Sequence, residues 1–162
     1  SGGMRILQIA SYICIFTLLL LAGCSVATGK QFARHPTPTE NEALIYIYRP
    51  RTLVGNADKP DIRINQASIG TLYAGGFLRT SVPLGQHTLT LTKDSKGRQW
   101  SYPDRSLKLP ITRSGVIYLR YTPTMRSGGY SGNQQIIIHS YKFEPVPETA
   151  ALEELSDLHQ SE

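Results

Sequence analysis

The chain has 162 residues, 40% of them hydrophobic, with 17 Lys and Arg against 12 Asp and Glu and a formal net charge of +5. That length leaves no room for two ordinary domains once the terminal segments are set aside, and only two cysteines, one of them inside an apolar run, exclude a disulfide-stapled fold. Four histidines, His35, His87, His139 and His159, form no i,i+4 pair and have no cysteine to complete a zinc set, so neither a metal site nor any other cofactor is expected.

Ser1-Gly2-Gly3 reads as a cloning remnant ahead of a start at Met4-Arg5. From Ile6 to Ala22 the chain is apolar except at Gln8, Ser11 and Thr17. As a helix this run would reach about 26 Å at roughly 1.5 Å per residue, slightly short of a hydrocarbon core of about 30 Å. A short membrane span and a signal-peptide core both fit that length, so the flank must decide. Leu21-Ala22-Gly23-Cys24 follows, with two small residues that suit a peptidase cleft and a thiol that can be alkylated. The stretch resembles the lipobox of bacterial lipoproteins at every position. The resemblance implies residues 4–23 as signal peptide, cleavage between Gly23 and Cys24, and an acylated Cys24 as the first residue of the mature chain and its link to the membrane. An uncleaved anchor helix is the competing reading. Cys14 would leave with the leader, and Ser25 in place of Asp implies, in a Gram-negative envelope, delivery to the outer membrane with the globular part facing the periplasm.

Residues 24–42 lack alternation and helical period, carry two prolines in a polar context and read as a flexible linker spanning about 23 Å. Strand signals begin with "ALIYIYRP", apolar on both faces, hence a central buried strand ended by Pro50. "DIRIN" and "SIGTLY" form a hairpin across Asn65-Gln66, "GFLRTSV" follows, and "PLGQHTLTLTK" alternates Leu89 and Leu91 with threonines. A turn at Lys96-Gly97 precedes Trp100 and a strand carrying Leu107 and Leu109. "GVIYLRYTP" directs Ile117, Leu119 and Tyr121 inward, and in "QQIIIHSYKF" the run Ile136 to Ile138 is too apolar for an exposed edge. Between these two, Ser127–Asn133 reads as a Gly-Ser loop. Leu152, Leu155 and Leu158 at helical spacing after Pro147 give one short terminal helix. The expected fold is all-β: a small β-sandwich or open barrel of seven to eight short strands over 43–143, followed by an acidic C-terminal helix and tail over 144–162.

Tyr48-Arg49-Pro50, the hairpin from Ile62 to Gly70, Gly76-Phe77 and the Pro-x-Gly-x-His-x-Leu unit from Pro83 to Leu89 together resemble the lipoprotein family catalogued as domain of unknown function 2846. "YLRYTP" and the acidic helix also fit, so the resemblance extends over nearly all of the mature chain. The hairpin and Pro-x-Gly-x-His strand are also similar to the PEGA repeat of bacterial surface proteins. These resemblances imply a β-sandwich lipoprotein and offer no catalytic residue.

No acid, base and nucleophile stand out as a set. Gly128-Gly129-Tyr130-Ser131-Gly132 lacks the Gly-x-Ser-x-Gly spacing of a nucleophile elbow and the ending of a phosphate loop. His87 reads as a brace for its turn, and Asp58, Asp61, Asp94 and Asp104 as turn residues. Charge is more telling: Cys24–Phe143 carries sixteen basic residues against six acidic ones, whereas Glu144–Glu162 carries six acidic and no basic residues. Three readings fit: the helix folds back on the basic face, that face meets anionic glycan or lipid of the envelope, or the basic residues, scattered over many strands, are ordinary solvated surface charge. Arg63, Arg120, Arg126 and Tyr130 are the candidate contact residues. The expected function is a lipid-anchored, non-catalytic accessory or binding module with a protein partner in the envelope. A module for anionic glycan or lipid and an envelope hydrolase are the alternatives, and an exported chain without a recognition motif argues against nucleic acid.

Overall fold

The computed structural model describes residues 26–35, 37–52, 54–55, 57–93 and 100–161. Two sheets carry the fold. The larger has five strands, in the order β8 (Gln134–Pro145), β7 (Gly115–Ser131), β1 (Glu42–Arg49), β4 (Gly76–Pro83) and β9 (His159–Gln160); the smaller has four, in the order β3 (Ala67–Thr71), β2 (Asp61–Ile64), β5 (Gly85–Thr92) and β6 (Arg105–Ile111). One helix among the described residues, α1 (Glu148–Leu155), sits between β8 and β9 in the chain. The all-β sandwich with a short C-terminal helix is thus the observed architecture.

β1 lies at the centre of the larger sheet because both its faces are apolar. It pairs antiparallel with β4, from Glu42↔Pro83 to Arg49↔Gly76, and parallel with β7, from Ala43↔Gly115 to Tyr48↔Arg120. Ala43, Ile45 and Ile47 face the smaller sheet, where Leu78, Val82, Leu119 and Tyr121 from their own sheet meet Ile62, Ile64, Leu89, Leu91 and Ile111. Leu44, Tyr46 and Tyr48 face the other way and are covered, with Phe77 and Tyr118, by Ala151, Leu155 and Leu158. The sandwich therefore has a third layer, built by α1 and the segments around it. α1 stops at Leu155, and Leu158 reaches the same apolar surface from the turn beyond it.

The β2–β3 turn falls at Asn65-Gln66, both with positive φ (50° and 72°), as a type I′ turn requires. Asn65 then ties the turn to β5. Its backbone N–H donates to the Thr88 carbonyl (2.8 Å), its side-chain carbonyl accepts from the Thr88 N–H (3.0 Å), and its amide donates to Nδ1 of His87 (2.8 Å). His87 is buried and donates through Nε2 to the carbonyl of Pro83 (2.8 Å), which closes the Pro-x-Gly-x-His turn. The two sequence units that stood out separately are joined through one imidazole.

Four expectations are corrected, the last being that His159 belongs to the terminal helix. Residues 26–35 are not a free linker: Val26 bridges Ala74, the N–H groups of Ala27, Gly29 and Phe32 donate to the carbonyls of Ala74, Gln160 and Leu158, and Phe32 packs edge-on against Tyr46 and Phe77. These are backbone bonds, which polar residues make as readily as apolar ones. The Gly-Ser stretch 127–133 is not a loop, because β7 continues to Ser131 and turns into β8 at Gly132-Asn133, with a positive φ (60°) at Gly132. β8 is an edge strand despite its isoleucines, with Ile136 and Ile137 exposed. His159 also lies in β9 rather than in the helix. The expected turn at Lys96-Gly97 lies outside the described residues.

Two substitutions test this architecture. Leu155→Ala removes the most deeply buried side chain of the third layer and should cost about 2–5 kcal/mol, read as a lowered urea midpoint. His87→Ala leaves the Asn65 amide and the Pro83 carbonyl without their partner and should cost about 1–3 kcal/mol in the same measurement.

Candidate functional site

Two polar centres flank the end of the larger sheet at which β1 stops and β4 begins. The first lies on the helix side. Arg120 projects outward from β7, where its guanidinium donates to Glu144 on β8 (2.9 Å) and to Glu154 on α1 (2.5 Å). The second oxygen of Glu154 accepts from the hydroxyl of Tyr48 (2.5 Å). The bond to Arg120 holds the Glu144 carboxyl below the usual carboxylate range. The bonds to Glu144 and Glu154, working against partial burial, raise Arg120, and burial followed by the Glu154 carboxylate raises Tyr48. A further pair, Arg34–Glu148 (3.1 Å), joins the N-terminal segment to the start of α1. The acidic tail folds back onto basic residues of the β-domain, so Arg120 is occupied from within.

The second centre lies on the sandwich side. Arg49 is fully buried and donates to the carbonyls of Gly55 (2.5 Å) and Asp58, with its guanidinium 5.3 Å from the centroid of the Tyr121 ring. Burial lowers the Arg49 pKa and raises that of Tyr121. The Asp58 carboxylate accepts from the N–H of Ser101 (3.1 Å). Trp100, Tyr102, Tyr121 and Tyr141 pack against one another with ring centroids 5.0 to 5.5 Å apart. This cluster forms the root from which β7 and β8 leave the body, and Arg105 lies over Tyr141 (5.8 Å).

Beyond that root the two strands pair, among the described residues, only with each other. β1 ends opposite Arg120, whereas β7 runs on to Ser131, and its last seven residues from Met125 are all exposed. That is about 23 Å of ribbon at roughly 3.3 Å per residue. Met125 is 52% exposed, Tyr130 73%, Ile136 43% and Ile137 40%. A Cβ on Gly128 would come within 2.9 Å of Ile138 and 3.1 Å of Ile136, so the glycine is what lets these isoleucines cross the ribbon. The ribbon carries Arg126, Lys142 lies at its root opposite Thr122, and no acidic residue occurs between Tyr121 and Phe143.

The expected contact residues separate accordingly. Arg126 and Tyr130 both lie on this arm. Arg63 does not join them: it lies on β2 and donates to Asp61 (2.9 Å), whose other oxygen accepts from Ser68 (2.6 Å). Gly23, Cys24 and Asp94 lie outside the described residues. Among the described residues, no group of three or more His, Cys, Asp or Glu could hold a metal ion, and no helix is long and apolar enough to cross a membrane. Two small cavities open on the helix side, one of about 170 Å³ lined by Val26, Ala27, Thr28, Tyr73, Gln160 and Ser161, the other of about 80 Å³ beside Tyr46, Tyr118 and Glu148. Sequence reasoning missed Arg49 and the exposed Met125, Ile136 and Ile137. A Gly-Asn turn between two β-prone runs was the available signal for the arm.

Residues 39–135 match the model of a family described as protein of unknown function (DUF2846). The chain belongs to this family. The match begins just before β1 and ends in the first residues of β8, so the resemblance is less extensive than the sequence suggested and leaves α1 and β9 outside it. It does contain Arg49, the Asn65–His87 pair and the strand that forms one side of the arm. No curated protein and no solved structure matches the chain.

The Arg120 network carries a pH signature. Because Glu144 is depressed in the folded state, its stabilisation is fully present above the ordinary carboxylate pKa of about 4.3 and is lost as pH falls through the lowered value. Arg120→Gln should flatten the acid limb of the stability curve between about pH 5 and pH 2, measured by urea denaturation of both proteins across that range.

Proposed function

We propose that this chain is a lipid-anchored, non-catalytic module of the bacterial outer membrane, held through Cys24, with its globular part facing the periplasm and its contact surface on the β7–β8 arm. The observation that carries the second half of this reading is the contrast between arm and body. Arg63 and Arg120 are neutralised by carboxylates of the same chain, whereas the arm exposes Met125, Tyr130, Ile136 and Ile137 beside Arg126, which has no ion-pair partner among the described residues. Exposed apolar side chains clustered on one element, rather than scattered singly, are the usual mark of a contact surface. The first half rests on the lipobox, whose four residues all match the lipoprotein pattern.

A catalytic reading has less to stand on, because the side chains that could act as acid or base in the body already serve the fold. His87 braces two turns, Asp58 holds Ser101, Asp61 is shared by Arg63 and Ser68, and Glu154 is shared by Tyr48 and Arg120. The family match, which includes the sandwich and half of the arm, is compatible with a scaffold role and brings no chemistry of its own.

Intact-mass spectrometry of the protein made in a Gram-negative host tests the anchor. The expected species begins at Cys24 and carries the added mass of acyl groups, and Cys24→Ser should abolish both the processing and the added mass. A free thiol at Cys24 still joined to residues 4–23 would refute the anchor.

A further inference from the structure

The arm and the N-terminal entry leave the molecule at the same end. β7 passes the last residue of β1 as it becomes the arm, and that residue, Arg49, pairs with Gly76 at the start of β4. Val26 bridges Ala74 beside this same point, and a Cβ on Gly76 would strike Ala27 at 2.7 Å. From there the N-terminal segment runs down the helix side of the sheet. Phe32 lies against Tyr46 and Phe77, and Thr37 lies near Leu44, close to the opposite end of β1. The chain therefore enters the fold at the arm end. Cys24 precedes Val26 by two residues, a reach of about 7 Å at most. β4 and β7 are separated only by β1, or about 10 Å.

Those distances couple two features that are unrelated in sequence. With residues 26–35 docked, an anchor at Cys24 has a tether of two residues instead of a long flexible one, so acyl chains there hold this end of the sheet against the headgroups. An arm whose exposed part measures about 23 Å and leaves from the same end cannot avoid that surface. Its chemistry suits the meeting. Tyr130 has the amphipathic ring that settles at a membrane interface, Met125, Ile136 and Ile137 supply apolar area, and Arg126 beside them supplies a cation for lipid phosphates.

We propose that the β7–β8 arm is a second membrane contact, dipping its tip into the interface of the anionic bilayer that holds Cys24 and thereby fixing the orientation of the sandwich on that surface. The proposal rests on the anchored reading above and names what its contact surface meets. The unpaired edges of a two-stranded ribbon keep it at headgroup depth, since backbone N–H and C=O groups without partners are not tolerated among the hydrocarbon chains.

The test uses the full chain made in its host and reconstituted into vesicles of phosphatidylethanolamine and phosphatidylglycerol, with and without brominated lipid. Tyr130→Trp adds an indole at the arm tip; Leu84→Trp adds one just beyond Pro83, at the opposite end of the sheet, and the buried Trp100 of the parent protein gives the background. The expected result is a blue-shifted emission at position 130, strongly quenched by brominated lipid, with position 84 unquenched. Equal, weak quenching at both positions in a protein whose mass shows acylation would overturn the arm contact and leave the anchor standing. Quenching at position 130 in a protein whose mass shows no acyl group would support the arm contact while removing the anchor. A blue shift that appears without vesicles and grows with protein concentration would mean that β8 pairs with a second copy, and would overturn the proposal.

Discussion

A strand that is apolar on both faces cannot rest at the surface of a two-layer sandwich. In this molecule Ala43 through Arg49 are all buried, and the smaller sheet can cover only half of that strand. The remaining half, Leu44, Tyr46 and Tyr48, obliges the fold to supply a third layer, and the chain supplies it from its two outer segments: α1 with Leu158 from one side and the stretch around Phe32 from the other. The stretch around Phe32, with little apolar periodicity of its own, thus becomes structural because of what β1 leaves uncovered.

The charge asymmetry follows from the same arrangement. Once α1 is drawn onto the sheet by Ala151 and Leu155, its carboxylates arrive beside Arg34, Arg120 and Tyr48. Isolated exposed pairs contribute at most about 1 kcal/mol each, so these bonds orient the helix more than they hold it. Their larger effect is on the outside, where Arg34 and Arg120 are neutralised by carboxylates of the same chain. At the other centre Arg49 does what a side chain seldom does, carrying a guanidinium inside the sandwich to hold the carbonyls of Gly55 and Asp58 under the Tyr121 ring. Among the described residues its Nε and the hydroxyl of Tyr121 have no partner, and the region forms the root of the arm.

Much of the sandwich was legible because period-two patterning and turn chemistry are local. Leu89 and Leu91 alternate with threonines and are buried, Ile62 and Ile64 share a face, and Asn65-Gln66 takes the backbone of a primed turn. The brace at His87 was also readable, though not that its second nitrogen belongs to Asn65. The docked N-terminal segment was not, since it is held by carbonyls of Ala74, Leu158 and Gln160, and backbone bonds leave no trace in side-chain pattern. The Ile136–Ile138 triplet misled because apolar runs are read as buried. The ribbon stands past the end of β1, where Ile136 and Ile138 lie over Gly128 and Ile136 and Ile137 stay exposed. Arg49 was hidden by the ordinary expectation that arginine stays at the surface.

The order of the pieces along the chain has a further result. The helical part of the covering layer over Tyr46, Tyr48, Phe77 and Tyr118 lies C-terminal to every strand whose aromatics it shields, and β9, which closes the edge of β4, comes after it. A nascent polypeptide that has threaded both sheets but not yet α1 displays a sticky aromatic strip and an open β4 margin, the kind of surface through which half-made domains clump. The helix and β9 thus act as a late seal, covering apolar surface that the strands before them leave open.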